Sequence, residues 1–155
     1  MRPVDVAHLG VRTSHIDYEN RVVARATLTG HIDGVAAVVF RPDGTVLATV
    51  CRDRTARLWD VRSPYTPRPL GILEGHTDWI RGVAFSPDGI ALATTSGDKA
   101  VRLWDVRSPN RPQQLAALKG HSAWVWGVAF SPDGTTLATA GGDNIVRLWR
   151  AAEGG

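Results

Sequence analysis

The chain has 155 residues, 43% apolar and 21% charged, with a formal net charge of +3. That is the composition of one globular domain and excludes a disordered chain. No apolar run approaches the roughly 18 residues of a membrane-spanning helix, and the N-terminus lacks the hydrophobic segment of a secretory signal.

Residues 1–21 do not match the rest of the chain and read as a non-repeat leader. Its His8 and His15, beside Asp17 and Glu19, are isolated side chains on an unassigned segment, so no metal site is expected there. Residues 21–28 then resemble an outer strand lying just before Gly30-His31.

From here the chain repeats every 45 residues, and the array spans 22–150. Gly30-His31, Gly75-His76 and Gly120-His121 open the copies, and Leu58-Trp59, Leu103-Trp104 and Leu148-Trp149 close them. Phe40, Phe85 and Phe130 keep the same period, as do the turns at 41–44, 86–89 and 131–134. The copy cores are about 30–60, 75–105 and 120–149. A fixed period of this length marks stacked copies of one supersecondary unit.

The second copy shows the elements most clearly. Residues 79–85 form an apolar run of strand length, and Ser86-Pro87-Asp88-Gly89 fits a type I turn. Residues 90–95 are a second strand, 96–99 a second turn and 100–104 a third strand. The Pro-rich stretch 108–112 is a longer connection, and 114–118 is a fourth strand leading to the next Gly-His. Short strands at regular intervals without a helical period predict an all-β fold. Apolar residues at consecutive positions suit sheets covered on both faces. Residues 151–155 are a tail, and Cys51, the single cysteine, cannot form an internal disulfide. A reducing compartment and indifference to redox both fit, with a cytoplasmic location as the expectation.

Gly-His, then Phe-Ser-Pro-Asp-Gly, Leu-Ala-Thr, Asp and Val-Arg-Leu-Trp-Asp stand almost intact in residues 75–105. This pattern resembles the WD40 repeat, and the resemblance covers about 22–150, most of the chain. It implies four-stranded blades forming a partial β-propeller arc of three, the last lacking its own outermost strand. The copies depart from the pattern at Arg150, which replaces the closing Asp, at Arg41 in the first turn, and at Cys51-Arg52.

Each copy carries a His, a hydroxyl, an Asp and a Trp: His31, Thr49, Asp53 and Trp59; His76, Thr94, Asp98 and Trp104; His121, Thr139, Asp143 and Trp149. The set invites a catalytic-triad reading. Against it, the set occurs three times and no nucleophile elbow is present. The resemblance implies a structural network instead, in which imidazole both donates and accepts and indole only donates. Phosphate-binding loops, paired-cysteine metal motifs and calcium loops are absent from the sequence, so no enzyme and no cofactor is expected.

In such propellers partners dock on the top face. By position, the residues facing it are Gly34, Ala36 and Arg52, then Trp79, Arg81 and Gly97, then Trp124, Trp126 and Gly142. Trp79, Arg81, Trp124, Trp126 and Arg52 are the partner-binding candidates, since Trp and Arg dominate interface hot spots. The same tryptophans could instead be wedges between blades. Arg57, Arg102 and Arg147 also repeat, but without an aromatic-rich basic cluster their stems read as cover for apolar surface, not as a nucleic-acid stripe.

The expected function is a noncatalytic scaffold for protein or peptide partners. The alternative is a regulatory or sensor segment associated with a bacterial kinase or NTPase. Three blades fall short of the four to eight of a closed propeller, so a homo-oligomer is expected. A dimer gives six blades; a trimer is the next choice and a mixed ring with another WD40 chain the third.

Overall fold

The computed structural model describes residues 4–5, 21–22 and 24–150. It is all-β over these residues. Strands β1 (Val4–Asp5) and β2 (Arg21–Val22) pair with each other. The first blade comprises β3 (Val35–Phe40), β4 (Val46–Cys51), β5 (Ala56–Asp60) and β6 (Arg68–Leu73). The second comprises β7 (Ile80–Phe85), β8 (Ala91–Ser96), β9 (Val101–Asp105) and β10 (Gln113–Leu118). The third comprises, among the described residues, β11 (Val125–Phe130), β12 (Thr136–Gly141) and β13 (Val146–Arg150). Each blade is an antiparallel meander in chain order.

The outer strand expected over 21–28 is not formed as a single element. Among the described residues of that stretch, strand structure is confined to Arg21–Val22, and residues 24–28 have none. In the other copies the equivalent segments, β6 and β10, pair with the third strand of the preceding blade. Among the described residues no blade precedes the first one, so residues 24–28 find no such edge there.

Turn chemistry sets the strand limits. Gly89 N–H donates to Ser86 O at 2.8 Å, and Gly89 sits at φ 74°, where a side chain is strained. Ile90 N–H is taken by the Asp88 carboxylate at 3.0 Å, so β8 begins one residue later than the apolar run. Trp79 N–H is likewise taken by Asp78, and β7 begins at Ile80. Each inner strand pair carries a register shift at the same place: Val35/Ala37, Ile80/Gly82 and Val125/Gly127.

The core lies between blades. One cluster joins Val46, Ala48, Val50, Ala56, Leu58 and Leu73 of the first blade to Ile80, Phe85, Leu92 and Trp104 of the second. The other joins Ala93 and Val101 of the second to Val125 and Leu137 of the third, with Leu103, Leu118, Val128 and Phe130 against it. Burying one such side chain stabilises by about 1.5–3 kcal/mol. The middle blade is therefore covered on both faces, which explains its consecutive apolar positions.

The outer faces of the arc are open. Val35, Val38 and Phe40 are 52%, 60% and 61% exposed, whereas Ile80 and Phe85, the counterparts of the first and last, are 0% and 8%. At the far end Val146 and Leu148 are 69% and 71% exposed, whereas Val101 and Leu58, at the equivalent positions, are 0% and 1%. Among the described residues no helix is long and apolar enough to cross a membrane.

Candidate functional site

The three polar sets close in the same way. In the second blade His76 Nδ1 lies 2.9 Å from Asp98 Oδ2, and His76 Nε2 lies 2.7 Å from Thr94 Oγ1. The Trp104 indole N–H donates to that same Thr94 oxygen at 2.8 Å. The first blade gives 3.0, 2.7 and 3.0 Å for His31–Asp53, His31–Thr49 and Trp59–Thr49. The third gives 2.9, 2.8 and 2.9 Å for His121–Asp143, His121–Thr139 and Trp149–Thr139.

Donor and acceptor types fix the direction of the chain. An ionised carboxylate only accepts, so Nδ1 donates to it and Nε2 of a neutral imidazole accepts from threonine. Indole only donates, so it supplies the threonine oxygen. The Asp98 carboxylate also accepts the Thr77 and Ala100 backbone N–H groups. Burial opposes its charge, but the hydrogen bonds from His76 and Ala100 outweigh burial and hold its pKa well below the ordinary 3.8. Asp53 is lowered in the same way against burial by Thr55 and His31, and Asp143 by His121 and the Ser122 N–H.

This geometry mimics a hydrolase triad in its bonds but not in its access. Thr49, Thr94 and Thr139 are 6%, 0% and 1% exposed, so all three lie buried within their blades. The sets act as clamps, tying the turn after each Gly-His to the second and third strands of its blade.

Among the described residues His31, Cys51 and Asp53 place metal-ligand atoms within 4.8 Å of one another. Hydrogen bonding accounts for the cluster. Cys51 Sγ donates to Asp33 O and accepts from Asp53 N, both at 3.3 Å. Ser96 Oγ makes the same two bonds, to Asp78 O at 3.0 Å and from Asp98 N at 3.1 Å. The thiol is a hydroxyl surrogate, and burial pushes its pKa up, away from the thiolate a metal needs. His8, His15, Asp17 and Glu19 lie outside the described residues.

The partner candidates gather at the opposite end of the blades from the Pro-Asp-Gly turns. Trp79, Trp124 and Trp126 are 40%, 51% and 47% exposed. The Arg52 guanidinium lies 4.4 Å from the Trp79 ring centroid. Arg81 lies 5.5 Å from the Trp79 centroid and 4.7 Å from that of Trp124. Trp124 meets Trp126 edge-on at 6.3 Å. The five side chains form a continuous ladder across three blades. Beside it, Gly34, Ala36, Arg52, Trp79 and Arg81 line most of a cleft of about 240 Å³.

The linkage between blades is the part that position-by-position reading misses. Its signal is present in the repeat departures. Gly34 and Ala36 stand where Trp79 and Arg81 stand in the second copy, and Arg52 stands where Gly97 stands. The first blade thus lacks the bulk its neighbours carry, and Arg52 reaches across the gap to Trp79.

A larger groove of about 470 Å³, lined by Leu103, Leu118, Phe130, Leu137 and Trp149 among others, lies between the second and third blades. It holds no converging titratable groups.

The WD domain, G-beta repeat family matches residues 23–60, 67–105 and 112–150. A stretch of 33 residues, 21% of the chain, is 58% identical to Protein Mut11 of Chlamydomonas reinhardtii and spans 9% of that protein. A stretch of 42 residues, 27% of the chain, is 43% identical to the Target of rapamycin complex subunit wat1 of Schizosaccharomyces pombe and spans 13% of it. The chain thus matches only a small part of each relative's length. Repeats over most of the chain, folded as blades with these clamps, make it a member of the WD40 repeat family.

Proposed function

We propose that the chain is a noncatalytic protein-interaction scaffold whose open blade faces are themselves interfaces. The observation that carries this reading is positional. Val35, Val38 and Phe40 at one end, and Val146 and Leu148 at the other, stand open at positions that are covered within the arc. Contiguous exposed apolar surface of this kind marks an interaction site.

Each open face is of the type that packs against the other inside the arc, so a second copy is the occupant with the matching shape. Head-to-tail contact is heterologous and must close into a ring. Two copies of three blades give six, within the usual four to eight, whereas three copies give nine. Residues 24–28 of one copy then lie where the free edge of β13 in the other lacks a fourth strand. Other partners dock across Arg52, Trp79, Arg81, Trp124 and Trp126. The family match lends no support to the kinase- or NTPase-associated alternative.

Mixing two variants tests the head-to-tail geometry. Val38→Asp spoils one face and Leu148→Asp the other, so each alone should be monomeric. Mixed, they retain one intact contact and should form an open dimer on sedimentation. Failure of the mixture to associate, with both variants folded, contradicts the reading.

A further inference from the structure

Two features of the ladder narrow the chemistry of what the scaffold holds there. Arg41, Arg62, Arg102 and Arg107 each lie within 4 Å of an aspartate. Among the described residues the Arg52 and Arg81 guanidiniums have neither an ion pair nor a hydrogen bond, only the tryptophan faces. Each guanidinium carbon lies over an indole ring, 4.4 to 5.5 Å from its centroid, and Arg81 Nε is buried without a hydrogen-bond partner, so donors remain that match a carboxylate.

The cleft supplies the space. Gly34 and Ala36 leave it open where Trp and Arg fill the next copy; Arg52 lines it from the same blade, and Trp79 and Arg81 line it from the second. Asp33 and Asp78 each accept the backbone N–H of the following residue, Gly34 and Trp79, at 2.6 Å, and neither forms an ion pair with Arg52 or Arg81.

We propose, resting on the scaffold reading, that the Arg52–Trp79–Arg81 cleft takes an aspartate or glutamate side chain of an extended acidic peptide. The carboxylate sits on the free guanidinium edges, and the half-exposed Trp124 and Trp126 contact the flanking residues. An acidic peptide fits better than a nucleic acid. Guanidiniums lie over Trp79 and Trp124, where a base would stack, and the basic groups are two, not a stripe that tracks a phosphate backbone.

The test uses the full chain and two fluorescein-labelled peptides, a Glu-Gly repeat and its Gln-Gly counterpart, read by anisotropy. The Glu peptide should bind at least about tenfold more tightly, and added salt should weaken it. Arg52→Gln and Arg81→Gln should each weaken it by about tenfold, while Arg54→Gln leaves it unchanged. Equal binding of the two peptides overturns the proposal, as does binding of neither at millimolar concentration. Displacement by oligothymidylate more readily than by unlabelled Glu peptide also overturns it. If the arginine variants fail to fold, the peptide pair and the salt response on the unmodified chain decide alone. The mixed-variant sedimentation involves none of these residues, so the scaffold reading stands or falls separately.

Discussion

Val35 and Ile80 hold the same place in successive blades, yet Val35 is 52% exposed and Ile80 is fully buried. The difference comes from position in the arc, not from residue type. Ile80 packs against the first blade; Val35 has no blade before it among the described residues. Val146 and Val101 show the same contrast at the other end of the arc, 69% against 0% exposed.

The clamp in the middle blade should contribute measurably to stability. We predict that His76→Ala, which strands Asp98 and Thr94, costs about 1–3 kcal/mol. Trp104→Ala, which also empties core volume, should cost about 3–5 kcal/mol. Urea unfolding measures both, and an unfolding curve like that of the parent chain for either variant contradicts its place in the clamp.

Acid should loosen the clamps. The folded pKa of Asp98 lies below its ordinary 3.8, so the stabilisation it brings is complete above that value and is lost as pH falls through and below it. Asp98→Asn should therefore be less stable by about 1–3 kcal/mol at pH 7, with the gap narrowing below about pH 4. Unfolding midpoints measured from neutral to acid pH check the sign. A gap that stays constant or widens at low pH contradicts it.

Cys51 offers a cleaner comparison, because a repeat copy already carries the substitution. Ser96 makes the bonds that Cys51 makes. Cys51→Ser should shift stability by less than about 1 kcal/mol in either direction. The buried thiol of the parent chain should react slowly with a disulfide reagent while folded. A loss well beyond that, or rescue of the loss by zinc, would identify a role the hydrogen bonds do not explain.

Much of this architecture is legible in the sequence because each repeat states it again. The Pro-Asp-Gly turns, the Gly-His pairs and the Leu-Trp pairs locate every strand of the second blade to within one residue. At the starts of β7 and β8 that one residue is decided by Asp78 and Asp88, whose carboxylates take the backbone N–H of Trp79 and Ile90. Residues 24–28 resemble an outer strand but have no partner edge among the described residues, and local pattern carries no information about that. The ladder from Arg52 to Trp126 is hidden for a related reason. It joins side chains of different repeats, and its spacing depends on how blades stack, not on the period within one.

The proposed scaffold requires that a second copy cover the open faces. Multi-angle light scattering of the full chain in dilute buffer addresses this directly. The expected mass is about twice the 16.7 kDa of one chain, reduced to the single-chain mass by Leu148→Asp. A folded, soluble monomer of the unmodified chain would contradict it.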